Sequence, residues 1–199
     1  MRILMRLIPV CLVLCATFQE RAMAVEEPPY DVTLHDGAFE VRSYPSSIVA
    51  EVTVGGDQDS AASAGFRLLA HYLFGGNRPQ QSLAMTAPVA QFQAGDTWTV
   101  RFFMPRNETL ASLPVPDDSR VHLRALPAGH FAVVRFSGLA YAGDVAHRTA
   151  ELESFMMLHH LRAAGPPVLA RYNPPWTLWL LRRNEVMIPT GAPMTPATG

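Results

Sequence analysis

The 199 residues suit one domain with a sizeable core, and 49% of them are hydrophobic. Sixteen basic against seventeen acidic residues leave a net charge of -1, so no broad electrostatic field recommends nucleic acid or an anionic surface as a partner. Every basic residue is arginine, which excludes Schiff-base chemistry and lysine general bases.

In chain order, residues 1–24 predict an export signal: Arg2 and Arg6, an apolar run over 7–16, then Ala22-Met23-Ala24 as a cleavage site. The run is well short of the roughly 20 residues that a membrane span requires. The expected product starts at Val25, is periplasmic or secreted, and keeps no stable membrane anchor. Cys11 and Cys15 both lie in the signal, so the exported chain has no thiol for a disulfide, a metal or a nucleophile.

The domain is expected over 25–189. Its first half predicts strands at 39–44 and 48–54 around a proline turn, then a helix over 59–74 capped by Asp57 or Asp59 and ended by Gly75-Gly76. Ala62, Phe66, Leu69 and Leu73 form its expected core stripe, while Ala61, Ala64, Leu68 and His71 give it a second apolar direction. Strands at 83–93 and 97–104 follow; Pro88 in the first of them suits an edge or a bulge. The second half predicts strands at 120–126 and 131–136, a helix over 144–162, and strands at 168–172 and 179–188. Val145, Thr149, Leu152, Met156 and His159 share one face of that helix. Residues 190–199 have no periodicity and are expected to be disordered.

The two halves share a frame. Arg42, Pro45, Ala50 and Gly56 recur 82 residues later as Arg124, Pro127, Ala132 and Gly138. The expected fold is therefore α+β, with two pseudo-symmetric halves, about 39–104 and 120–188, each roughly ββαββ. Together they would form a distorted antiparallel β-barrel with one main helix per half.

Chemistry is sparse. No metal or nucleophile motif is present, and the adjacent His159 and His160 stand about 100° apart on a helix and cannot chelate together. His159 reads as a hydrogen-bonded core histidine; His35, His122, His130 and His147 carry no signal. His71 has two readings, a plain surface histidine or an imidazole beside apolar surface that meets a flat ligand. The stretch from Arg171 to Pro189, RYNPPWTLWLLRRNEVMIP, also has two. Trp176, Trp179, Arg182 and Arg183 suit a planar, apolar, anionic ligand, or the indoles plug a barrel end while Glu185 pairs an arginine.

The blocks FEVRSYPSSIVAEV, AGFRLLAHYLFGGN, LAMTAPV and YNPPWTLWLLRRNEVMIP, in this order, resemble the SOUL family of heme-binding proteins over about 30–189. The resemblance implies the two-half distorted barrel and reversible, non-enzymatic binding of heme or a related tetrapyrrole. It also implies a site bordered by the first helix (Ala64, Leu68, His71, Tyr72) and the last loop (Trp176, Trp179, Arg182, Arg183). One branch of the family has a histidine, proposed as axial ligand, where this chain has Ser43. His71 is then the possible iron ligand; otherwise ring burial and propionate pairing hold the guest. An effector-binding or carrier module for other amphipathic molecules, or a tetrapyrrole-modifying enzyme, are the alternatives. Protein partners are not legible.

Overall fold

The computed structural model describes residues 25–191; the expected signal 1–24 and residues 192–199 of the expected tail lie outside the described residues. In chain order the elements are β1 (Asp31–Asp36), β2 (Phe39–Tyr44), β3 (Ser47–Val54), α1 (Gln58–Leu73), β4 (Asn77–Arg78), β5 (Val89–Ala94), β6 (Thr97–Phe103), β7 (Val115–Pro116), β8 (His122–Leu126), β9 (Gly129–Phe136), α2 (Ala142–Leu158), β10 (Val168–Arg171) and β11 (Asn184–Thr190). A single 3-10 turn, Trp179–Leu181, precedes β11. Nine strands form one antiparallel sheet in the order β1-β2-β9-β11-β10-β5-β6-β3-β8, and β4 pairs with β7 separately.

The α+β expectation holds, but the sheet does not close into a barrel. Strands β1 and β8 are its two edges. Their side chains are largely exposed, so neither edge offers an apolar row that closure would bury. Both helices lie on one face of the sheet: α1 over β3 and β6, α2 over β9 and β11. Alternate strand residues supply the two cores beneath them. Ala50, Val52, Val100 and Phe102 meet Leu69, Tyr72 and Leu73 of α1. Val41, Val134, Val186 and Ile188 meet Leu152, Phe155 and Met156 of α2. Full burial of each large side chain contributes about 1.5–3 kcal/mol.

Helix α1 starts where its cap demands, with the Asp57 carboxylate accepting from the Asp59 and Ser60 N–H groups at 3.0 and 2.9 Å. Its buried stripe is Gln58, Ala61, Gly65, Leu69, Tyr72 and Leu73. The expected stripe was turned by part of a face: Ala62 is only half-buried and Phe66 is 38% exposed. Gly65 sets this rotation, because a Cβ there would lie 2.5 Å from Val100 Cγ2, so only glycine lets the helix approach β6 this closely.

Three other expectations shift. The strand expected over 83–93 begins only at Val89, because Thr86 instead forms a parallel bridge with Glu26 and Pro88 has no N–H to offer a ladder. Helix α2 ends at Leu158 rather than 162, the chain turning at His160 with φ 55°. The strand expected from 179 begins at Asn184, for reasons that belong to the loop before it. Strand β1, polar and exposed, has no counterpart among the expected elements. Thr190, assigned to the tail, is the last residue of β11 and faces His130.

Candidate functional site

Between β10 and β11 the chain makes a protruding loop over 173–183. Its neck is closed by the Arg183 N–H donating to Asn173 Oδ1 at 2.6 Å. Inside it, Arg182 donates through Nε to the Thr177 carbonyl at 2.8 Å and through Nη2 to the Pro175 carbonyl. The guanidinium thus replaces the sheet partner that an extended strand would need, which is why no strand forms here. Trp176 is 83% and Trp179 55% exposed. These indoles plug nothing.

Arg183 lies elsewhere in function. It turns back over the Tyr172 ring, 3.7 Å from its centroid, and pairs with Glu185 and Glu27, each at 2.9 Å. Glu185 is fully buried and also takes Arg42 at 2.8 Å and the Tyr172 hydroxyl at 2.7 Å. Burial by itself would raise the Glu185 carboxyl, but the hydrogen bond and charge of Arg42, with Arg183 and Tyr172, hold it below the usual carboxylate value. Burial pushes Tyr44, on the same cluster, up to about 12. Arg183 therefore belongs to a buried ionic cluster, and Arg182 to the loop's own scaffold.

The expected helix residues stand apart from this loop. Asp59, in the first turn of α1, reaches Arg171 of β10 at 3.4 Å, so the flank bearing Asp59 faces the sheet's centre. Ala62, Phe66 and Ala70 continue within about 60° of Asp59, whereas Ala64, Leu68 and His71 fall roughly 120–180° away. His71 is exposed and also about 18 Å further along the axis. There it packs on Gly76, near Asp118, whose carboxyl is held low chiefly by hydrogen bonds from Arg120. Tyr72 is a core residue that donates to the Pro114 carbonyl at 3.0 Å. Of the eight residues named from the resemblance, the structure brings Trp176, Trp179 and Arg182 together in the loop. It sets Ala64, Leu68 and His71 on a separate flank.

What Trp179 meets is α2. Its carbonyl accepts from the Gly138 N–H at 3.2 Å, and its side chain lines a hollow of about 350 Å³ with Phe136, Leu139, Tyr141, His147 and Arg148. Arg148 lies 5.7 Å over the Phe136 ring and binds Glu151 at 2.8 Å. His147 stands 3.7 Å from the same carboxylate. Sequence reasoning gave His147 no signal and passed over Arg148; nine and ten residues after Gly138 of the second repeat, in the first two turns of α2, they carry no motif of their own. A second, larger cavity of about 560 Å³ lies on the helix-free face, lined by Tyr44, Phe103, Phe131, Val168 and Met187, with both repeat prolines, Pro45 and Pro127, on its wall. Among the described residues no cluster of three or more His, Cys, Asp or Glu could hold a metal ion.

Comparison with known proteins supplies a frame for this geometry. The chain is 29% identical over 187 residues to human heme-binding protein 2, covering 82% of this chain and 89% of that one. It is 24% identical over 170 residues to heme-binding protein 1 of Xenopus tropicalis, covering 74% and 85%. Among solved structures, the fold is similar to that of an uncharacterized conserved protein from Listeria innocua (TM-score 0.61, 16% identity, 77% of this chain and 92% of that one). It is also similar to the EcmrR C-terminal domain (TM-score 0.59, 11%, 81% and 98%) and to a hydrolase from Listeria innocua (0.58, 15%, 80% and 94%), likenesses of fold alone. The SOUL heme-binding protein family matches residues 25–189, almost the whole of the described domain, and the chain belongs to that family.

Proposed function

We propose that this chain is an exported, non-enzymatic binder of heme or a related tetrapyrrole, and that it takes the macrocycle into the hollow between the 173–183 loop and α2. The family supplies the ligand class. The placement is carried by one observation: Trp179, Tyr141, Leu139 and Phe136 line a hollow that also holds His147, Arg148 and the acidic Asp144. The Trp179 indole would stack against the ring, and apolar contact, at roughly 25 cal/mol per Å² before binding costs, would add to the polar contacts of the hollow. Arg148 would exchange Glu151 for a propionate, a charge-assisted pair that orients the guest. His147 would be the imidazole that holds iron. Export rests on the pattern of residues 1–24.

Placing the guest on α2, where the resemblance points to the first helix, follows if the chain is two related halves. Two facts support that reading. Exchanging β2, β3, β5 and β6 with β8, β9, β10 and β11 reverses the sheet order around β5 and β10. Val41 pairs with Ala132, and their counterparts Leu123 and Ala50 also pair. Helix α2 is then the equivalent of α1.

Titration of the protein with hemin tests the function. We expect a shifted, saturable Soret band and quenched tryptophan emission, and an unchanged band with unquenched emission overturns the proposal. With iron held by His147, His147→Ala moves the bound Soret band, whereas Arg148→Ala weakens affinity several-fold without moving it. The 560 Å³ cavity favours a second reading, a carrier for other amphipathic small molecules, since its volume and apolar walls suit a compact guest. Hydrophobic cations assayed beside porphyrins separate the two readings: the carrier reading expects saturable binding that hemin does not displace.

A further inference from the structure

The outward side of the 173–183 loop is unusual for a protein surface. Trp176 is 83%, Leu178 54%, Leu180 48% and Leu181 66% exposed, and they sit within six consecutive positions. Scattered exposed leucines need no explanation, but a contiguous apolar tip on a protrusion does. Trp179 alone of these apolar residues lines the hollow against α2, which leaves Trp176, Leu178, Leu180 and Leu181 outside the tetrapyrrole reading.

The loop is also held in shape from within. Thr177 N–H donates to Pro174 O at 3.0 Å, Leu181 N–H to Leu178 O at 2.8 Å and Arg182 N–H to Trp179 O at 3.2 Å, while the N–H groups of Trp176, Leu178, Trp179 and Leu180 have no partner among the described residues. The Arg182 guanidinium takes the Thr177 and Pro175 carbonyls, and Pro174 and Pro175 have no N–H to satisfy. Unpaired N–H groups keep such a backbone at the wet headgroup boundary and out of the hydrocarbon, so only the side chains would enter. Charge is complementary to phosphate. Arg183 is tied to Glu27 and Glu185, whereas Arg182 has no acidic partner among the described residues, so the loop carries one unbalanced positive charge.

We propose that this tip docks the protein reversibly on a phospholipid bilayer, with Trp176, Leu178, Leu180 and Leu181 inserted at the headgroup boundary and the Arg182 charge at the phosphates. Tryptophan favours that boundary, and the proline-stiffened loop loses little freedom on entering it. Because the whole chain is nearly neutral, insertion rather than a basic field provides the attraction, so zwitterionic vesicles bind as well as mixed ones. The inference goes beyond tetrapyrrole binding and does not rest on it.

The test uses the full chain without porphyrin, with vesicles of phosphatidylcholine, alone or mixed with phosphatidylglycerol, carrying brominated acyl chains. Wild-type tryptophan emission is expected to shift to the blue and be quenched. In Leu180→Ser/Leu181→Ser, which retains every tryptophan, vesicle-dependent quenching is expected to fall about tenfold or more. Trp176→Ser should remove most of the quenched signal. Every protein compared carries the same residues 1–24, so differences between them report the loop. Equal quenching in wild type and the leucine variant overturns the proposal, as does wild-type emission unaffected by vesicles. A stable dimer on sedimentation that is lost in the leucine variant also overturns it, because a second copy then covers the tip. Hemin titration of the same variant separates the two proposals, since the hollow beside α2 is left intact.

Discussion

Glu185 is fully enclosed, yet its carboxylate meets Arg42, Arg183 and the Tyr172 hydroxyl, so the charge is fully partnered. Because the folded protein holds this carboxyl below the usual 4.5, its contribution to stability is complete above that value and is lost as pH falls through the lower, folded one. Glu185→Gln leaves two cations without their shared anion. It is expected to cost roughly 3–5 kcal/mol in urea unfolding at neutral pH, and to flatten the acid limb of the stability profile. An unchanged midpoint would contradict the geometry. The sequence shows that an arginine lies near Glu185 in the RRNEV run, but the Arg42 contact spans 143 positions and no local pattern carries it. The Ser43 departure was legible in advance; that its neighbour Arg42 is committed to a buried pair was not.

At the scale of elements, both helices and most strands follow directly from capping residues and hydrophobic period, as at Asp57 and Gly75. Which flank of α1 faces which neighbour does not. The helix has apolar residues in two directions, so periodicity alone chose the Phe66 side, whereas the close approach of Gly65 to Val100 decides the rotation. A glycine signals such an approach only when the opposite surface is known. Gly65→Ala should gain helix propensity of up to about 1 kcal/mol but force the helix off β6, a cost of about 1–3 kcal/mol. Net destabilisation is expected in thermal unfolding, relieved by the second change Val100→Ala. A Gly65→Ala protein more stable than wild type would mean that α1 does not rest on Val100. The 179–188 segment failed as one strand for an analogous reason: Arg182, read as a rim for a ligand, satisfies the carbonyls of its own loop.

At the scale of the molecule, the order of elements in the sequence led to the α+β class and the conspicuous sequence blocks to the family, while the closed barrel did not survive because the exposed edges β1 and β8 remain unpaired with each other. The tryptophans marked the loop in the sequence as a candidate ligand segment. Its neighbour was not, because the sheet's strand order, which seats the loop beside the start of α2, is set by pairings more than 40 residues apart such as Asn184 with Phe136. Where the proposed tetrapyrrole would bind is therefore the central question. Hemin affinity of Trp179→Ala measured beside His71→Ala answers it most directly. The geometry here predicts about a tenfold loss for Trp179→Ala and wild-type affinity for His71→Ala; loss confined to His71→Ala would contradict it and move the guest to the far flank of the first helix.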